Sequence, residues 1–169
     1  MDYKIKFNAI RDLADARFAA SVMAEWMGFT LGAENDLNIQ QIQEICNWCS
    51  GPKITLELDP QLDLEKVITY CNVLKVEAIE CNAFQKLDLS KRLQNIEYIG
   101  IDSDEGLSHS RESKSENNIY PLKEFNAAFL EENGIEQFSL DCFDPEPNQE
   151  AGEKDFTKFY DFFEELGLL

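Results

Sequence analysis

Basic residues, histidine and long apolar runs are all scarce in this chain. Of 169 residues 15 are basic against 33 acidic, a formal charge of −18. Such a balance repels phosphate backbones and anionic bilayers unless a basic patch overrides it. The only basic couplets are Lys4 with Lys6 and Lys91 with Arg92, neither interleaved with aromatics as a nucleic-acid groove requires. No apolar stretch approaches the ~20 residues that span a bilayer, and Met1-Asp2-Tyr3 runs straight into a strand pattern without an apolar signal core. The expectation is a cytoplasmic protein with no nucleic-acid or membrane partner. The length suits one domain over 1–169.

Cysteine is present but in no framework. Five residues, at 46, 49, 71, 81 and 142, form an odd, scattered set that fits reduced thiols. Cys46-Asn47-Trp48-Cys49 is a C-x-x-C. Redox pairs of this kind sit at a helix N-terminus, where the dipole favours thiolate. This one ends a helical pattern, so it reads as packing. A second ligand pair is missing, and the single histidine, His109, falls in the polar stretch 103–118, which reads as a flexible, solvated loop. No metal and no cofactor are expected.

What is abundant is a rhythm of short β-branched or aromatic runs and helical stretches, the mark of parallel βαβ units. The strands are expected at about 4–10, 26–32, 53–59, 78–82, 97–102 and 136–143. Helices are expected at 12–24, 39–49, 63–74, 84–93, 121–133 and 154–166. Asp12 and Asp63 are placed as N-caps. In the last helix Phe156, Phe159, Tyr160, Phe162 and Phe163 crowd at spacings of three and four, either as core or as a contact with a second subunit. Six strands that do not close leave strands one and six as open edges, which makes a homo-oligomer an expectation.

Residues Lys6 to Ala20 read Lys-Phe-Asn-Ala-Ile-Arg-Asp-Leu-Ala-Asp-Ala-Arg-Phe-Ala-Ala, and Trp26-Met27-Gly28-Phe29 follows. This resembles the opening of the phosphoribosylanthranilate isomerase family: a Lys-Ile-Cys-Gly-Ile strand, an Asp-Ala-rich helix and a strand with Gly-Phe. Ser139-Leu140-Asp141 is similar to the Leu-Leu-Asp of its sixth strand. The resemblance implies an α/β, TIM-barrel-like fold, incomplete or contracted, of about six βα units, ending where a seventh strand would begin. In the family the strand-one cysteine is general base and the strand-six aspartate general acid of an Amadori rearrangement. Carried over, the acid is Asp141 and the base is Asn8, an amide that takes no proton near neutral pH. The family's substrate-binding arginine segment is replaced by Glu34-Asn35-Asp36-Leu37. Loops after strands seven and eight, where such barrels hold phosphate, are not expected, and Gly152 stands in a segment too short and acidic to replace them.

Period-two alternation places Lys6 and Asn8 on one face of strand one, Glu57 and Asp59 on one face of strand three, Glu80 and Asn82 on strand four, and Ser139 and Asp141 on strand six. With Ile54, Leu56 and Leu58 turned to the helices, the polar set faces inward. Two readings follow. One is a site at the strand C-termini, with Lys6, Asn8, Asp59, Asn82 and Asp102 as binding residues, for a small molecule or a partner and without the ancestral activity. The alternative is a divergent isomerase or lyase with Asp141 as acid and Glu57 or Glu80 as base. A salt-bridged polar core accounts for the same residues without chemistry.

Overall fold

The structure is a computed structural model describing residues 3–32, 36–100, 119–142 and 155–169. Asp102, the 103–118 loop, residues 34–35 and Gly152 lie outside them. The strands are β1 (Lys4–Asn8), β2 (Trp26–Leu31), β3 (Lys53–Leu58), β4 (Val76–Cys81), β5 (Glu97–Gly100), β6 (Tyr120–Pro121) and β7 (Gln137–Asp141). Interleaved with them are α1 (Leu13–Ser21), α2 (Ile39–Trp48), α3 (Leu64–Val73), α4 (Ala83–Leu89), α5 (Ala127–Glu132) and α6 (Thr157–Glu165). Helices α1 to α5 start where a short polar side chain takes their free N–H groups. Asp12 accepts from the amides of Ala14 and Asp15, and Asp63 from that of Glu65. Asn38 with Gln41, and Asn82 with Gln85, form reciprocal capping boxes.

All strand pairs are parallel, in the order β5-β4-β3-β2-β1-β7-β6. One face packs under the helices through Phe7, Phe29, Leu56, Ile79, Phe138 and Leu140, all buried. The other face is concave. Lys6 on β1 reaches Glu80 on β4 at 2.8 Å, although three strand spacings in a flat sheet come to about 14 Å, more than the two side chains span. The fold is an incomplete TIM-barrel-like α/β barrel.

Two expectations are corrected. The sequence pattern predicts a helix from Pro121, but Tyr120 and Pro121 pair with Phe138 and Ser139 as β6, and the helix begins at Ala127 behind the Asn126 cap. Proline is tolerated there because β6 is an edge, where a missing N–H interrupts no ladder. The second correction concerns closure. The strand read as sixth, with units seven and eight absent beyond it, is β7, and it pairs with β1 from Lys4↔Gln137 to Asn8↔Asp141. A strand on the side of β1 away from β2 holds the last place in a barrel, so strand one is no edge. Among the described residues the sheet is open between β5 and β6.

The aromatic helix supplies the reason. Phe159, Phe162 and Phe163 are buried, with Phe159 5.8 Å from Phe7 and Phe162 6.0 Å from Phe138. Phe156 stacks on Phe18 of α1 at 4.4 Å. α6 therefore covers the β7–β1 seam and packs on α1, and burying these rings favours that pairing.

Candidate functional site

The alternation that faces Phe7 outward turns Lys6 and Asn8 inward. The Lys6 ammonium, fully buried, forms ion pairs with Glu57 on β3 and Glu80 on β4. It also donates to the Asn8 side-chain carbonyl at 2.5 Å. Asn8 in turn donates to Asp141 on β7 at 2.9 Å. The second oxygen of Glu57 accepts from the Ala9 amide at 3.0 Å, where the backbone leaves β1 in the left-handed region (Ala9 φ 53°). One hydrogen-bonded chain thus runs from Asp141 at the rim to Glu80 across the interior.

Gly28 makes the crossing possible. It lies on β2, between Lys6 and Glu57, and a Cβ there would sit 2.5 Å from the Glu57 carboxyl carbon and 3.1 Å from the Lys6 nitrogen. An isolated glycine within a strand signals such a close approach. It was available in the sequence as that signal, yet which side chains it admits depends on cross-strand register.

Below this layer Trp26, Ala78 and Ile99 form a small apolar cluster. The Trp26 indole N–H and the Thr55 hydroxyl are buried without a hydrogen-bond partner among the described residues. Lys53 lies 5.5 Å from the centroid of the Trp26 ring and bonds Glu25 at 2.6 Å.

The electrostatics follow from one cation serving two acids. Burial pushes Glu57 above the ordinary carboxylate value; the Lys6 ammonium opposes this and the Glu80 charge adds to it. Burial would lower Lys6, but the two carboxylates outweigh it and hold the ammonium above the ordinary lysine value. Both shifts favour keeping protons, as a cluster with a surplus negative charge should. A carboxyl whose folded pKa is raised contributes stability fully present below its unfolded pKa and lost as pH rises through the folded value. Glu57→Gln abolishes that loss. Thermal melts from about pH 4.5 upward are expected to show a flatter pH dependence in this variant than in wild type.

Two others singled out from the sequence that the structure describes stand outside this hydrogen-bonded chain. Asp59 and Asn82 fall just past the strand ends, where the turn takes them: Asp59 accepts from the Gln61 amide at 2.8 Å and Asn82 caps α4. They meet indirectly, since Gln85 of the Asn82 cap donates to the Asp59 carbonyl at 2.8 Å. Asp36 accepts from the Thr30 hydroxyl at 2.7 Å. Burial, with Cys49 beside it, raises the Cys46 thiol to about 11, and burial raises the Cys71 and Cys81 thiols to about 11. These are poor nucleophiles at neutral pH. Among the described residues no three His, Cys, Asp or Glu side chains are arranged to hold a metal ion, and no helix is long and apolar enough to cross a membrane.

No protein-family model matches the sequence, and no curated protein matches it. Solved structures do. Phosphoribosyl anthranilate isomerase from Thermus thermophilus aligns over 97% of this chain and 98% of its own, at 14% identity and TM-score 0.70. N-(5'-phosphoribosyl)anthranilate isomerase from Pyrococcus furiosus aligns over 99% and 100%, at 10% identity and TM-score 0.63. A monomeric form of the dimeric Thermotoga maritima enzyme aligns over 58% of this chain and 51% of its own, at 14% identity and TM-score 0.49. At these identities the likeness is one of architecture, and it agrees with the strand order: the chain is built as a phosphoribosylanthranilate-isomerase-like barrel.

Proposed function

We propose that this barrel is a binding protein without the isomerase activity of its structural neighbours, its ligand or partner engaged at the acidic mouth where the strands end. The observation that carries the reading is the state of Lys6. It is completely buried and held by Glu57, Glu80 and Asn8, so its charge is spent on internal carboxylates and is not presented to an anionic substrate. Asn8 stands where the family's base would be, already engaged between Lys6 and Asp141. An amide so placed orients its neighbours and moves no proton.

The second reading, a divergent isomerase or lyase, draws on Glu57, whose burial raises it toward the range of a useful acid or base. In that reading Asp141 is the acid. The two are separated by incubating purified protein with phosphoribosylanthranilate and following its fluorescence. The expected result is no conversion above the uncatalysed rate, and no rise in Tm with millimolar inorganic phosphate. Turnover that disappears in Asp141→Asn would establish the enzyme and overturn the binding reading.

A further inference from the structure

Outside the barrel a cleft of about 290 Å³ lies between the start of α1 and one face of α2. Its walls include Leu13 and Ile45, and its rim includes Arg11, Asp12, Glu44 and Trp48. Glu44 and Trp48 are four residues apart, hence neighbours on one helical face. Trp48 is 72% exposed, an unusual position for the largest apolar side chain, and its ring has no ring or cation contact among the described residues. Glu44 has no hydrogen bond or ion pair there either. Arg11 and Asp12 cancel in formal charge, so Glu44 leaves the rim negative within a chain of net charge −18.

The same protein shows what an indole beside a carboxylate holds. At Trp26 the Lys53 ammonium lies 5.5 Å from the ring centroid and bonds Glu25 at 2.6 Å. Trp48 and Glu44 repeat the pair of groups beside an apolar wall. We propose that this cleft binds a small organic ammonium, its charge set against the Glu44 carboxylate and the Trp48 ring face and its hydrocarbon part on Leu13 and Ile45. The ring quadrupole attracts a cation and not an anion. The volume, at the lower end of small-molecule pockets, suits a compact amine.

Benzylammonium serves as the probe, with the two indole N–H resonances of the full chain followed by NMR and told apart by Trp48→Phe, a surface substitution. The Trp48 signal is expected to shift saturably at pH 7 and low salt, with binding weakened at least fivefold by Glu44→Gln and clearly by 0.5 M salt. Benzyl alcohol, of the same shape without the charge, is expected to leave the signal in place. Asp141→Asn should not alter the titration, which keeps this site distinct from the barrel mouth and its failure distinct from that of the binding reading. An unmoved Trp48 signal, an equal response to benzyl alcohol, or unchanged affinity in Glu44→Gln or in high salt would each overturn the proposal. So would a loss of binding in Asp141→Asn.

Discussion

Lys6→Met is expected to cost about 3–5 kcal/mol of folding free energy near neutral pH, the range found when one partner of a buried ion pair is removed. Methionine matches the lysine stem closely in volume and leaves no large cavity, so packing changes little. The cost is electrostatic: Glu57 and Glu80 remain facing each other inside the sheet, with Glu57 almost wholly out of solvent, and no cation is left to offset their desolvation. The pH dependence identifies the cause. As pH falls, Glu57, which burial already holds above the ordinary carboxylate value, takes a proton and the penalty shrinks. Denaturant unfolding of wild type and variant at pH 7 and at pH 4 measures it. A penalty equal at both pH values would assign the loss to packing, and the account of the cluster as a charge-balanced unit would fail.

Gly28→Ala is the second large effect, and it adds only a methyl group. That carbon would occupy the place of the Glu57 carboxylate, 2.5 Å from its carboxyl carbon. Overpacking a filled interior costs about 1–3 kcal/mol by itself. If the carboxylate swings aside instead, Lys6 loses one partner and the cost moves toward that of the broken pair. A double-mutant cycle tests this geometry. In a Glu57→Ala background the space is vacated, and Gly28→Ala is expected to cost less than about 1 kcal/mol, a strong non-additivity for two residues in contact. Equal costs in both backgrounds would mean that the glycine serves the β2 backbone and not the crossing.

These two residues also show what could be read before any coordinates. Period-two alternation places Lys6, Asn8, Glu57, Glu80 and Asp141 on one face because side-chain direction within a strand is a local property. The structure joins them: Asp141 to Asn8, Asn8 to Lys6, Lys6 to both glutamates. Asp59 and Asn82 obey the same alternation in sequence, but β3 stops at Leu58 and β4 at Cys81. One residue further on, a short polar side chain gains more by bonding free amides of the following turn. Strand order was illegible for another reason. Which strand lies beside β1 is set by burial of the α6 rings against Phe7 and Phe18 and of Phe138 against Tyr3, contacts between residues more than a hundred positions apart. The two-residue β6 is shorter than any periodic signal and contains a proline.

The β1–β7 seam has a consequence for how the chain is made. β1 leaves the ribosome well over a hundred residues ahead of β7, yet its second row of hydrogen bonds needs Gln137–Asp141, and the outer cover of Phe7 and Phe18 needs α6. Until residue 163 is synthesised, the N-terminal sheet carries an unpaired flank and an uncovered aromatic surface. At ~5–20 residues per second that interval lasts about ten to thirty seconds. Nascent chains arrested at about residue 130 should therefore recruit holdase chaperones that the released protein does not, and the slow step of refolding should be the long-range closure of this seam.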